Sequence, residues 1–272
     1  MSVMPSNYEV MTTWDKIADA YQKEVKISTD EIHYGPLIPG ENTFRLIDST
    51  KNVIAAEIGC GGAQDSIVLA KKGCNVVAID ISKQQLRHAR KLAEINDVTV
   101  KLIQMDAESI GCLKDNFFDF AISVFTLDYV SNIERAIQGL RAVLKPHGYA
   151  IIAVQHPFYN VFNPIREGKN EIKGYFERGI LKWTWKFDTG LDVLMFRFHR
   201  TLEDWFDSFK ESGFHIERIL EPKLYSEEEL ADPAIARKVP YSYNRRSLEG
   251  TEILRSRLPH TIIFKIRKAK TD

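Results

Sequence analysis

The sequence predicts an α/β fold in which a mostly parallel sheet carries helices on both faces, and three observations predict it. Strand-like apolar runs alternate with amphipathic helical stretches between residues 53 and 154. The first run leads into a glycine-rich turn, Glu57-Ile58-Gly59-Cys60-Gly61-Gly62. Acids stand at or near the C-terminal ends of three successive runs, at Glu57, Asp80 and Asp106.

In chain order, residues 11–21 read as a helix with Trp14, Ile17 and Tyr21 on one apolar stripe, and 42–46 as part of another. Strands are predicted at 53–58, 75–79, 98–105, 118–124 and 149–154, and helices at 63–72, 83–95 and 132–144. Pro146 and Gly148 end the last of these helices and start the next strand. The rhythm then breaks: residues 156–200 are rich in aromatics, among them Phe158, Tyr159, Tyr175, Trp183, Trp185 and Phe187. A helix at 202–212, a strand at 214–220 and a final strand at 261–267 follow. Between them, 221–259 contains Pro222, Pro233, Pro240 and Pro259, and reads as a long loop with one short helix at 226–231. The chain so divides into an N-terminal helical cap (1–50), a core (51–155), an aromatic lid insertion (156–200) and a C-terminal part of the core (201–272).

With 272 residues and 44% hydrophobic content the chain can bury a full core. Lys+Arg and Asp+Glu both number 37, so no net positive field draws in a polyanion, and nucleic acid is not an expected partner. The basic stretches 243–246 and 265–270 read as solvated surface or strand-end charge. Cys60, Cys74 and Cys112 have neither zinc-site spacing nor the density of a disulfide framework, so no metal is expected and a reducing compartment suits them. No stretch approaches the roughly 20 apolar residues of a membrane span, and residues 1–10 lack a leader pattern, so the expected location is the cytosol.

The chemistry starts at the turn. Glycines permit positive φ and close approach of a ligand to the backbone, and the helix that follows offers free N–H groups. A dinucleotide fingerprint needs a third glycine at position 64, where the chain has Gln64. Glu57 stands there instead, able to receive a positively charged amino group. Asp80 can accept hydrogen bonds from both ribose hydroxyls of an adenosine, or serve as a helix N-terminal acid. Asp106 can accept from an adenine amino group while the Ala107 N–H donates to a ring nitrogen; an ordinary loop acid is the alternative.

Glu57-Ile58-Gly59-Cys60-Gly61-Gly62, Val77-Ala78-Ile79-Asp80-Ile81-Ser82, Asp106-Ala107-Glu108, Phe118-Asp119-Phe120-Ala121-Ile122-Ser123 and Leu144-Lys145-Pro146-His147-Gly148 together resemble the successive motifs of class I S-adenosyl-L-methionine (SAM)-dependent methyltransferases. The likeness is to their small-molecule, ubiquinone-pathway-like (methyltransferase type 11) branch. It is detailed over 11–155 and looser over 201–220 and 261–267. It implies a doubly wound seven-stranded sheet of order 3-2-1-4-5-7-6 with strand 7 antiparallel. It also implies SAM as cofactor and S-adenosyl-L-homocysteine (SAH) as product. Gly59, Cys60 and Gly61 with Glu57 border the methionine end, Asp80 and Ile81 the ribose, Asp106 and Ala107 the adenine, and 123–127, including Ser123 and Phe125, runs under the cofactor. The usual last glycine of the turn is Ala63 here, tolerable if its φ stays negative.

Tyr21 can touch the methionine end or the sulfonium, or simply pack the helix onto the core. Tyr34, in a cap-like loop, is the second candidate, and Phe125 and Tyr129 can face the sulfonium. For a hydroxyl or protonated amine acceptor a base is needed, and His156, after the fifth strand, is the candidate base or acceptor contact. A loop histidine bonded to backbone is its alternative. His199, followed by Arg200, is a further pocket candidate. The aromatic insertion reads as a lid over a flat or apolar small molecule, or as a hairpin packed on itself or across a dimer. Monomer and homodimer both fit.

The expected reaction is in-line methyl transfer to an oxygen or nitrogen, less readily carbon, of a small molecule. An RNA or protein methyltransferase is disfavoured, because Phe125-Thr126-Leu127-Asp128 lacks the Asn/Asp-Pro-Pro-aromatic element that many of those enzymes carry. A nicotinamide-dependent oxidoreductase and a non-catalytic SAM-binding module complete the alternatives.

Overall fold

The computed structural model describes residues 5–162, 174–242 and 257–269. The basic stretch 243–246, Lys270 and part of the lid insertion lie outside them.

Helix α1 (Asn7–Glu24) starts earlier than its apolar stripe predicts, because Ser6 and Glu9 form a capping box that hydrophobic periodicity does not register. Strand β1 (Lys26–Ile27) and the short α2 (Glu41–Phe44) follow. The alternating core is β2 (Ile54–Ile58), α3 (Gln64–Lys71), β3 (Asn75–Asp80), α4 (Lys83–Ile95), β4 (Lys101–Gln104), a 3₁₀ segment at Ala107–Cys112, β5 (Phe118–Val124), a 3₁₀ turn at Leu127–Tyr129, α5 (Ile133–Val143) and β6 (Leu144–Gln155). Next come α6 (Pro157–Phe162), the strands β7 (Gly179–Lys186) and β8 (Asp192–His199), α7 (Leu202–Glu211), β9 (Phe214–Leu220), α8 (Glu227–Leu230), α9 (Pro233–Ala236), β10 (Tyr241–Ser242) and β11 (Thr261–Lys268).

The main sheet has seven strands in the order β4-β3-β2-β5-β6-β11-β9, with β11 antiparallel to both neighbours, as the sequence motifs imply. Along its central strands alternate side chains enter two different cores. Ala56, Ala121, Ile152 and Phe264 join α5 and α7 on one face; Ala55, Phe120, Ile151 and Ile263 join the 32–46 segment and α3 on the other. A strand buried on both faces reads as an unbroken apolar run, which is why the sequence reveals it.

Three departures have local causes. Strand β6 begins at Leu144 and runs through the Pro146-Gly148 bend, with a register irregularity between Phe118 and Phe120 and a positive φ at His147. The 221–259 loop contains α9 as well as the expected α8, because Asp232 caps a turn opened by Pro233. Its strand β10 pairs with β1 and so ties the loop to the N-terminal segment. The aromatic insertion is an antiparallel hairpin, β7–β8, whose Phe187, Val193 and Met195 pack on Ile17 and Ala20 of α1.

Candidate active site

A cavity of about 790 Å³ lies at the C-terminal ends of β2 to β6, roofed by α1 and the β7–β8 hairpin. Ligands of open parallel sheets bind at this end.

Its floor is the glycine turn. The Gly59 and Cys60 N–H groups both donate to the Ile79 carbonyl, at 2.7 and 2.9 Å, folding the chain sharply back on β3. Gly59 has φ +73°, and a Cβ there would lie 1.9 Å from Thr126 Oγ1, so two crevice loops touch where a side chain is forbidden. Gly61 has φ +51°, but a Cβ there meets nothing closer than Gln22 Nε2 at 3.7 Å. Ala63 does not keep a negative φ: it sits at +58° as the N-cap of α3. The left-handed backbone costs an alanine roughly 1–2 kcal/mol. Its fully buried methyl offsets part of this by packing with Cys60, Ala78, Leu86 and Ala89.

Asp80 borders the cavity at the tip of β3. Its two oxygens accept from the Gly61 and Ser82 N–H groups, each at 2.8 Å, so the carboxylate braces the glycine turn and the start of α4 together. Burial nevertheless raises its pKa to about 6. Asp106 lines the adjoining wall with Ala107; its carboxylate caps the 3₁₀ segment by accepting from the Glu108 N–H at 2.9 Å, and burial raises its pKa. Ile81, Met105 and Val130 complete an apolar slot there.

The loop after β5 is held under strain. Phe125 lines the cavity with φ +53°, its N–H bonded to the Ala153 carbonyl at 2.8 Å. The buried Arg200 guanidinium donates to the carbonyls of Leu127, Val130 and Ser131, which fixes the turn that presents Tyr129. Tyr129 and Tyr21 flank Trp14 edge-on, with ring centroids 5.2 and 5.6 Å away, and all three line the cavity. The Tyr21 hydroxyl meets that of Tyr241 at 3.2 Å, so Tyr21 both packs the helix and faces the cavity.

The far end is polar: Gln155, Tyr159, Asn160 and His260 line it, beneath Trp183 and Arg197 of the hairpin. His260 Nε2 lies 3.0 Å from the Gln155 amide nitrogen, a donor, so Nε2 carries the lone pair and Nδ1–H donates to Thr261 Oγ1 at 3.1 Å. Asn160 is buried, and its Oδ1 accepts no hydrogen bond among the described residues.

Six sequence candidates lie outside the lining, each for a visible reason. Glu57 turns away from the cavity and accepts from the Ser66 N–H at 2.8 Å and from the Ser66 hydroxyl; burial lifts its pKa to about 7. Cys60 packs with Ala63, Ala78, Leu86 and Ala89. Ser123 is enclosed within the sheet. Tyr34 is fully buried, its hydroxyl donating to Glu41 at 2.6 Å. His156 is fully buried with both ring nitrogens used: Nδ1 accepts from the Phe158 N–H at 3.1 Å, and Nε2–H donates to Glu221 at 2.7 Å. His199 is buried with Nε2 against the Tyr175 carbonyl at 2.9 Å. The sequence reading missed His260, Asn160, Gln155 and Arg197. Pairing of the last strand antiparallel to the fifth sets Thr261 opposite Gln155, a signal that brings His260 to the crevice.

Residues 56–152 match the family model described as a methyltransferase domain. That segment is similar to the methyltransferase domains of class I, SAM-dependent enzymes. The ubiquinone biosynthesis O-methyltransferase of Rickettsia typhi is 33% identical to the chain over 97 residues, 36% of this chain and 39% of the relative. The match thus spans about two fifths of the curated relative's length. The crystal structure of a SAM-dependent methyltransferase from Mesorhizobium loti superposes with a TM-score of 0.61 at 22% identity, covering 82% of this chain and 94% of that one. The [4+2]-cyclase SpnF superposes with a TM-score of 0.64 at 20% identity over 100% and 99% of the two chains. These structural likenesses establish the shared fold.

The methyltransferase domain fits its cofactor. Gly61 bends the turn at positive φ, Asp80 offers a carboxylate at the wall, and the Ile81–Met105–Ala107 slot is apolar. Among the described residues no cluster of three metal-ligating side chains occurs, and no helix is long and apolar enough to cross a membrane.

Proposed function

We propose that this protein transfers the methyl group of SAM to an oxygen or nitrogen of a small, flat acceptor. One observation carries the reading: a single cavity joins the Asp80 and glycine-turn wall to a polar end built by Gln155, Tyr159, Asn160 and His260. When bound, SAM supplies an electrophilic methyl on a sulfonium; the residues have to hold, align and enclose.

Asp80 receives the ribose hydroxyls on its remaining lone pairs, already fixed by two backbone donors. Asp106 and the Ala107 N–H border the base. Trp14, Tyr21 and Tyr129 put aromatic faces and edges around the sulfonium region, where a cation–π contact contributes roughly 0.5–2 kcal/mol. The hairpin excludes water, and alignment of acceptor and methyl does most of the catalytic work. His260, not His156, is the imidazole on the cavity wall, and its Nε2, whose lone pair rests on the Gln155 amide N–H, takes the acceptor's proton as that amide gives way. Oxygen is favoured over nitrogen by the name of the Rickettsia relative. The family match, residues 56–152, covers the glycine turn, Asp80 and Asp106, and ends before Gln155, Tyr159, Asn160 and His260.

The test has two parts. SAM and SAH should raise the thermal midpoint while NAD leaves it unchanged. Labelled methyl from SAM should then appear in a metabolite of a small-molecule extract. Binding without any transfer would leave a SAM-binding module; stabilisation by NAD alone would end the reading.

A further inference from the structure

At the acceptor end the Arg197 guanidinium has bonding capacity that is visibly unspent. It lines the cavity from β8, opposite Leu181, and its guanidinium lies over the Trp183 ring, 4.3 Å from the centroid. Among the described residues none of its N–H groups is hydrogen-bonded, and no carboxylate lies within ion-pair distance of it. The nearby acid is already engaged: Asp128 is buried, accepts from the Gln155 N–H at 3.0 Å, and feels both Arg197 and Arg200 at longer range. Arg200 differs in kind, because its buried guanidinium already donates to three carbonyls. A planar fork of donors, stacked on an indole and facing a cavity, is the arrangement that receives a carboxylate bidentately.

Resting on the proposed methyl transfer, we infer that the acceptor is an aromatic or otherwise flat molecule carrying a carboxylate, which Arg197 binds while Trp183 stacks beside it. The other source of a carboxylate is the amino-acid end of SAM. The placement of Arg197 favours the acceptor: it neighbours Asp128 and Gln155, whereas the glycine turn at Gly61 faces Gln22 and Gln85. Asn160 Oδ1, buried at the same end and without a donor, matches a hydroxyl or amino group on that molecule.

The experiment uses the full chain saturated with SAH. Benzoate, 2-aminobenzoate, 4-hydroxybenzoate and 3-phenylpropanoate are each compared with their carboxamides by ligand-detected NMR and calorimetry. Carboxylates should bind the wild type about tenfold or more tightly than their amides, the value of a charge-assisted contact. Arg197→Gln should erase that preference and Arg197→Lys retain part of it, with SAH affinity unchanged in both. Equal binding of acids and amides, or no carboxylate bound at all, overturns the inference. So does a loss of SAH affinity in Arg197→Gln, which would assign the carboxylate to the cofactor. Failure of the wild type to bind SAH is a separate result, and it refutes the methyltransferase reading itself.

Discussion

Replacing Asp80 by asparagine separates the two tasks that the structure gives its carboxylate, bracing the turn and holding a ribose. A carboxyl held near pKa 6 instead of 3.8 makes its ionised form cost the fold about 3 kcal/mol at neutral pH. The sign follows: the folded pKa lies above the unfolded one, so this group's contribution is most favourable below about pH 4 and is lost as pH rises through about 6. Asparagine removes that penalty but keeps one acceptor oxygen for the two N–H groups of Gly61 and Ser82, at a cost of about 1–3 kcal/mol. The two effects nearly cancel near neutrality, so Asp80→Asn should fold with a stability close to the wild type's. Its affinity for SAH should fall, because a charged acceptor to the ribose is worth about 1.5–3 kcal/mol, roughly one to two powers of ten in Kd. Calorimetric titration at about pH 5 and about pH 7.5 reads both features. Wild-type affinity should rise with pH while the variant's stays flat, and the two should converge at the acidic end. A folded Asp80→Asn that binds SAH like the wild type near neutrality refutes the reasoning.

Other perturbations have equally definite outcomes. Gly59→Ala drives a Cβ into the Thr126 side chain, its Cβ included, at positive φ; thermal denaturation should show a large loss, of which adding Thr126→Gly recovers the steric part but not the roughly 1–2 kcal/mol of backbone strain. His156→Ala leaves the Phe158 N–H and Glu221 without their partner and should cost at least about 2 kcal/mol in urea denaturation. His260→Ala leaves the Gln155 amide and the Thr261 hydroxyl without their partner and should cost about 1–3 kcal/mol of stability, but the folded variant should keep SAH binding and show a rate of methyl transfer about 10²–10⁴-fold lower. Arg200→Ala strands three carbonyls and should lower the unfolding midpoint by the equivalent of at least about 2 kcal/mol, with Tyr129 displaced in SAH-bound spectra. Deleting 158–198 should abolish turnover of a true acceptor; unchanged turnover would deny the hairpin any substrate role.

Most of the fold was legible because its strands are buried on both faces and its helices are punctuated by caps and breakers. The glycine turn, Asp80 and Asp106 stand out because acids and glycines at strand ends are local signals, Ala107 follows Asp106, and Ile81, Tyr21, Phe125 and Tyr129 come from the family resemblance and the order of elements; the structure lines one cavity with all eight. The remaining candidates failed where side-chain direction decides. Glu57 belongs to a strand whose residues alternate between faces, and the Ser66 hydroxyl claims it. His156 precedes a proline turn that folds its ring onto Phe158 and Glu221. His260 and Arg197 come from segments distant in sequence, so only strand pairing and the fold of the hairpin back over the crevice place them. Ala63 shows the limit of a residue-type rule, since a buried methyl can hold an alanine where glycine is expected.

The account stands most directly on a crystal structure of the protein grown with saturating SAH. It predicts the ribose hydroxyls on the Asp80 carboxylate, the base between Asp106 and Ile81, and the sulfur open toward Gln155 and His260. Well-ordered crystals with an empty cavity, or with the nucleoside bound away from Asp80, would contradict it.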